Sequence, residues 1–424
     1  MVRLLYAFLT WLVQPLVRRK LMRRGRQEPG YLVAVEERFG QYALPALPDD
    51  GRTLWVHAVS LGETRAAAVL LATLREQWPA YRLLLTHGTA TGRAEGAGLL
   101  RDGDVQVWQP WDTPEAVQRF LDHFHPRLGI LLETEVWPNL AAGCARAGVP
   151  LVLANARLSE KSLRQARRLA WLSLPAYRSL AAVWAQTQDD ATRLAAIGAP
   201  VQGVFGNLKF DATPDAAQMT RGQAWRLALG RPVIMFASSR EGEEAELLDC
   251  LRQAPDAVRD VQWLIVPRHP QRFDEVAELI TRHGFSLARR SQWDSAPTLV
   301  EMSADVWLGD TLGEMALYYG LSDAALLGGS FAPLGGQNLI EAAACGCPVF
   351  MGPHTFNFDE AATLAQEAGA AQRCPDLSSA VIAAQRLVRV PGRQQAMARE
   401  AGRFAKAHRG AALRTRDALA AYLG

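Results

Sequence analysis

The first residue type in a position to do chemistry is Glu63. It lies in Trp55–Leu71, WVHAVSLGETRAAAVLL, where a short apolar run gives way to a turn and then to an Ala/Leu-rich segment. The run before it reads as a buried strand and the segment after it as a helix. Gly62 lets the backbone turn sharply, and Ser60 opens the turn. A carboxylate at such a bend has two readings. It complements the positive end of a helix, or it is a general base presented at the end of a strand. The helix dipole is expected to depress its pKa and keep it ionised. Two further loops of the same half carry polar groups. ETEVWPN supplies Glu133 and Glu135, and NARLSEKS supplies Asn155, Arg157, Ser159 and Ser162. Carboxylates at i and i+2 point to opposite faces of a strand, so Glu133 and Glu135 form a poor acid–base couple unless the chain bends there. Holding substrate hydroxyls or orienting Arg157 suits them better. Neither loop offers a Ser-His-Asp arrangement.

The second half has three loops of interest. In VPRHPQRF, Arg268 and His269 follow an apolar run and are framed by prolines; a guanidinium there meets a phosphate bidentately or is a solvated loop residue. In LGDTLGEM, Asp310 or Thr311 is expected to cap a helix whose first turn holds Gly313 and Glu314. The richest stretch is LLGGSFAPLGGQNLIEAAACGCPVFMGP, with Gly328, Gly329, Gly335 and Gly336 ahead of a helix beginning near Asn338. Its glycines admit close approach of backbone to a ligand, and Glu341 in the first helical turn is placed to accept from two ribose hydroxyls. No Gly-Lys-Ser/Thr or G-x-G-x-x-G follows, which excludes a Walker loop and the dinucleotide fingerprint. A nucleotide-sugar site fits the stretch, as does a glycine-rich turn with a dipole-matched Glu.

These loops need a scaffold. From residue 52 to about 206, strand-like runs such as TLWVHAV, YRLLLTHG, LGILLET and PLVLANA alternate with helical stretches, and a second series runs through PVIMFASS, VQWLIVPRHP, DVWLGDT, DAALLGG and PVFMGP. Alternation of this kind means α/β architecture with parallel sheets covered on both faces. The 424 residues suit two domains. We divide the chain into residues 1–26, an N-terminal anchor with its basic flank; 27–210, a first Rossmann-like domain; 211–232, a linker; 233–393, a second such domain; and 394–424, a long helical tail. With 46 basic and 43 acidic residues the charge is nearly balanced, which gives no support for nucleic-acid binding. The five scattered cysteines fit a reducing compartment, and Cys345 and Cys347 lack a second pair at zinc-site spacing. Leu4–Val17 is apolar and followed by Arg18, Arg19, Lys20, Arg23, Arg24 and Arg26. As a helix it is about 21 Å long against a hydrocarbon core of about 30 Å, so it either spans marginally or lies in the interface. The basic flank places the body on the cytoplasmic side, near anionic lipid. A helix packed on the body is the plainer alternative.

Taken together, SLGE, ETEVWPN, NARLSEKS, GNLKFD, VPRHPQRF, GDTLGE, GGQNLIEAAACGCPV and MGPHTFNF, in that order, resemble the Kdo transferases of lipopolysaccharide assembly. The resemblance runs the length of the chain. It implies a GT-B fold, two Rossmann-like domains facing across a cleft, with the acceptor held by the first and CMP-Kdo by the second. It implies inverting, metal-independent transfer of 3-deoxy-D-manno-octulosonic acid to the lipid A precursor lipid IVA at the cytoplasmic face of the inner membrane, with no cofactor. Carried over by residue, the family's base falls on Glu63. Its CMP contacts fall on Pro267 and Arg268, on Leu312, Gly313 and Glu314, and on Asn338, Leu339, Ile340 and Glu341. Ser60, Gly62, Glu133, Glu135, Asn155, Arg157, Ser159 and Lys209 become acceptor-side or supporting residues. Gln337 stands where the family often has His, and Ser239 and Arg240 stand where Thr and His are common. Other expectations compatible with the residues are a GT-B enzyme using another nucleotide sugar on a lipid, and an inactive nucleotide-sugar-binding membrane protein.

Overall fold

A computed structural model describes residues 2–253, 260–293 and 295–423. The chain divides into two compact units, Met1–Asp211 with Arg409–Gly424, and Ala212–His408. Each is built on one seven-stranded sheet.

In the first unit the strands are β1 (Thr53–His57), β2 (Arg82–His87), β3 (Val105–Trp108), β4 (Leu128–Leu132), β5 (Leu151–Ala156), β6 (Ala182–Ala185) and β7 (Val201–Val204). They pair in parallel in the order β3-β2-β1-β4-β5-β6-β7. Alternate side chains explain why the runs are mostly apolar on both faces. Trp55, Leu84, Leu131, Leu153 and Val183 pack on one face with Phe120 and Phe124. Leu54, Val56, Leu83, Ile130, Val152 and Trp184 pack on the other with Leu70, Leu71 and Leu74. A parallel sheet covered on both faces leaves no polar alternation to read.

The second unit contains β8 (Val233–Ser239), β9 (Gln262–Pro267), β10 (Leu287–Arg289), β11 (Val306–Leu308), β12 (Ala324–Leu327), β13 (Val349–Met351) and β14 (Ala371–Arg373). The order is β10-β11-β9-β8-β12-β13-β14, again with every pairing parallel. Ile234, Phe236, Trp263, Ile265, Val306 and Leu326 form its core with helical Leu247, Leu251 and Ile280. In both sheets the chain fills one side first and then crosses to the other; in the second, β11 inserts between β9 and the edge strand β10. The reversal lies between β1 and β4 in the first sheet and between β8 and β12 in the second. Crevices beyond the carboxyl ends of strands at such reversals are where open α/β sheets take ligands.

The ends of the chain differ from the sequence reading. Leu4–Val17 is not one helix: Val2–Leu12 and Gln14–Gly25 are separate, with Val13 between them and Pro15 in the first turn of the second. Pro15 has no N–H to continue the hydrogen-bond ladder. Among the described residues no helix is long and apolar enough to cross a membrane. The first helix is fixed to its unit. The Tyr6 hydroxyl donates to Asp112 Oδ2 at 2.9 Å and the Trp111 indole donates to the Thr10 carbonyl at 3.0 Å. Its apolar residues nevertheless face outward, with Leu4 69% exposed and Phe8, Trp11 and Leu12 more than half exposed. The tail is likewise two helices, Pro391–Ala407 and Ala411–Leu423, broken where Gly410 adopts φ 103. Asp211 holds the break by accepting from the Gly410 and Ala412 N–H groups. The last helix contributes Ala411, Leu419 and Leu423 to the core of the first unit.

Candidate functional site

In the first unit, three strands around the reversal deliver polar residues at their carboxyl ends. After β1, Ser60 caps the helix Leu61–Gln77. The Glu63 carboxylate folds back over the turn, Oε2 accepting from the Val59 N–H and Oε1 from the Ser60 hydroxyl, each at 2.9 Å. Both oxygens are thereby fixed, and each keeps lone-pair capacity for a further proton donor. After β4, Glu133 takes φ 60, a left-handed conformation that is costly for a side chain with a Cβ. This is the bend that the spacing of Glu133 and Glu135 required. Both carboxylates now act on Glu63. Glu133 is held by Lys209 Nζ at 3.5 Å and by Arg157 at 3.9 Å. Glu135 accepts from the Trp137 indole at 2.9 Å. Within β5, Asn155 takes φ 52; its Oδ1 accepts from the Leu208 N–H at 3.0 Å and its carbonyl from Gln186 at 2.9 Å. Asn155 thus ties β5 to the Leu208–Asp211 turn that carries Lys209. Ser159 caps the helix Glu160–Arg168, accepting from the Ser162 N–H at 3.1 Å, so the role seen for this pair is structural.

The electrostatics correct one expectation. The Glu63 carboxyl is not depressed by its helix; it is pushed up to about 7. Burial is the largest cause, outweighing the hydrogen bonds from Val59 and Ser60, and the charges of Glu133 and Glu135 add to it. Glu135 is itself raised, by burial first and by Glu133 as well. A carboxyl that ionises near neutrality is a better proton acceptor than an ordinary Glu and is still ionised in a large fraction at pH 7.

In the second unit, the ends of β8, β9, β11 and β12 carry the corresponding loops. Pro267 closes β9 and is buried, and the half-buried Arg268 donates its backbone N–H to the Ser239 carbonyl at 3.0 Å. After β11, Leu312 is 73% exposed and Gly313 takes φ 78. The expected cap is absent. Asp310 instead accepts from Arg289, from the Ser291 N–H at 2.7 Å and from the Ser291 hydroxyl at 2.6 Å. The helix Met315–Leu321 begins after Glu314 without a side-chain cap. Glu314 Oε1 accepts from Arg290 at 2.8 Å and Arg221 at 3.2 Å, and Oε2 from Thr311 at 2.5 Å. These bonds leave the backbone of residues 312–314, rather than the Glu314 carboxylate, as the readier ligand surface. After β12 come the glycines. A Cβ on Gly328 would stand 2.2 Å from the Ser238 carbonyl, so only glycine lets β12 and β8 end this close together. Gly329, Gly335 and Gly336 take φ 68, 89 and 73. Asn338 caps the helix Leu339–Ala344 by accepting from the Ile340 N–H at 3.2 Å, and Glu341 is half-buried in its first turn. Leu339 and Ile340 are buried in the core, so only their main chain is available to a ligand.

Comparison with known proteins decides the family. The family model described as 3-deoxy-D-manno-octulosonic-acid transferase (kdotransferase) matches residues 34–212. The 3-deoxy-D-manno-octulosonic acid transferase of Bordetella pertussis is 47% identical over 97% of this chain and 97% of its own. That of Haemophilus influenzae is 32% identical, covering 84% of each. The chain belongs to the Kdo transferase family. Among solved structures it is similar to UDP-GlcNAc 2-epimerase from Neisseria meningitidis, with a TM-score of 0.56, 13% identity and coverage of 87% of this chain and 100% of that one. A likeness at that identity shows the fold alone: two parallel-sheet α/β domains of the GT-B kind.

For a Kdo transferase the sequence reading left out one supporting residue, Glu243. Its buried carboxylate receives the Gly329 N–H at 2.9 and 2.8 Å, the Arg240 N–H at 2.9 Å and the Ala332 N–H at 3.3 Å. It therefore anchors the turns after β8 and β12 to each other. The signal available was the acidic run in ASSREGEE directly after a strand; a glycine-rich turn with several unpaired N–H groups needs an acceptor nearby. Ser238, at φ 55, forms the irregularity in the β8–β9 register that lets this happen. Arg240 directs its Nε to Glu241 Oε2 at 3.1 Å.

Proposed function

We propose that this Kdo transferase moves Kdo from CMP-Kdo to a hydroxyl of the lipid A precursor lipid IVA, with inversion, without a metal or other cofactor, and with Glu63 as general base. The observation that carries the proposal is the placement of Glu63: a half-buried carboxylate with a pKa near 7, fixed at the reversal of the first sheet. It removes the proton from the acceptor hydroxyl as the oxygen attacks the anomeric carbon of Kdo. The bond from that carbon to the CMP phosphate oxygen breaks, and CMP leaves carrying the electron pair. One displacement gives inversion, and CMP departs without protonation because its phosphate is a weak base. Arg268 meets the charge on the phosphate. The main chain of residues 312–314 and 338–340 holds the nucleotide with Pro267, and Glu341 receives the ribose hydroxyls.

The acceptor is lipid-borne, and the outward apolar face of Val2–Leu12, with exposed Arg19, Lys20, Arg23, Arg24 and Arg26 behind it, fits a helix lying in the membrane interface at the cytoplasmic face of the inner membrane. Incubating the full chain with CMP-Kdo and lipid IVA and reading product masses tests the reaction: addition of Kdo is expected, with inhibition by CMP and none by UDP at equal concentration. Inhibition by UDP but not CMP, or no Kdo-bearing product, would assign the donor site to another nucleotide sugar.

A further inference from the structure

A recess that the donor and base residues do not line lies in the first unit. It is bounded by the helices Val2–Leu12, Pro138–Ala147 and Ala170–Arg178, and encloses about 370 Å³. This is within the size range, about 300–1,000 Å³, of small-molecule sites. Ala142, Leu172 and Pro175 line it, and Trp171, 51% exposed, stands at its edge. Two cations also line it, Arg3 and Arg146. Both are exposed, and among the described residues neither has a hydrogen-bonding or carboxylate partner. An apolar recess whose charges, among the described residues, are two uncompensated guanidiniums selects an occupant with an aliphatic body and an anionic head.

The surroundings point the same way. Arg3, which lines the recess, belongs to the first helix, whose Leu4, Leu5, Phe8, Trp11 and Leu12 are exposed. Arg164, Arg167 and Arg168 are exposed on the helix Glu160–Arg168, which precedes exposed Leu169 and Trp171 in the chain. Aromatic and basic residues mixed in this way mark the depth of lipid headgroups. We propose that the recess seats one acyl chain of an anionic phospholipid, its phosphate held between Arg3 and Arg146. The inference rests on the reading of this face as membrane-facing and goes beyond it: a lipid taken into the protein fixes both the depth and the orientation of the unit at the surface.

Two measurements separate the inference from that reading. Flotation of the full chain with phosphatidylcholine vesicles, with and without phosphatidylglycerol, tests membrane association alone. Native mass spectrometry after detergent extraction from the same vesicles tests the recess. Wild type is expected to retain one phosphatidylglycerol and no phosphatidylcholine. Ala142→Trp, which fills the recess, and the surface double variant Arg3→Ala/Arg146→Ala are both expected to lose the retained lipid while still floating with anionic vesicles. Retention of phosphatidylglycerol by the double variant at the wild-type level, or equal retention of phosphatidylcholine by wild type, overturns the inference even if flotation is normal. Failure of wild type to float overturns the membrane-facing reading as well.

Discussion

Replacing Glu63 by Gln is expected to lower kcat for Kdo transfer by about 10²–10⁴-fold, the range general bases contribute, while leaving CMP binding unchanged. The amide keeps the size of the carboxylate and can still accept from the Val59 N–H, so the turn at Ser60 persists. What is lost is the ability to take up a proton. The proposed donor residues all belong to the other unit. Calorimetric titration with CMP alongside steady-state kinetics separates the two effects. Near-full activity in the variant removes Glu63 from the chemistry; loss of CMP affinity with loss of activity makes it structural.

Arg268→Ala is expected to have the second largest effect, and of the opposite kind. Its guanidinium is assigned to the CMP phosphate, and a hydrogen bond to a charged group is worth about 1.5–3 kcal/mol, so affinity for CMP should fall roughly 10- to 100-fold. The Arg268 backbone N–H donates to the Ser239 carbonyl, a bond that the substitution leaves in place. KM for CMP-Kdo should rise, and kcat should fall as well if the guanidinium stabilises the departing phosphate. Unchanged CMP affinity, by the same titration, would place the phosphate elsewhere.

Much of the scaffold could be read from the residues because the sheets are parallel and doubly covered. Runs such as Leu83–Leu85 and LGILL are apolar in every position for that reason. The short outer strands escaped notice: β10 and β14 lie at the edges of the second sheet, are three residues each, and include half-buried or exposed positions that give no run to recognise. Glu63 was visible as a residue at a strand-to-helix turn, but its environment was not. The bend at Glu133 depends on a left-handed backbone that a Glu-Thr-Glu sequence does not announce, and the clamp on it comes from Lys209, far along the chain. For the same reason a local argument from the helix dipole gave the wrong sign for the pKa: burial and two carboxylates brought in by tertiary structure exceed it. Asp310 illustrates the converse. Its sequence context suits a helix cap, yet its side chain is drawn to Arg289 and Ser291 on a neighbouring strand and turn.

The dependence of kcat/KM on pH, followed for wild type from about pH 5.5 to 8.5 at saturating CMP-Kdo with lipid IVA varied, tests the central claim most directly. The base must be ionised, so the rate should climb about tenfold per pH unit below the pKa and level off above it. With Glu63 at about 7, the bend belongs near neutrality, and the residual activity of Glu63→Gln should lack it. A profile already flat from pH 5.5 upward, or the same bend in both proteins, would contradict the assignment of Glu63 as the base.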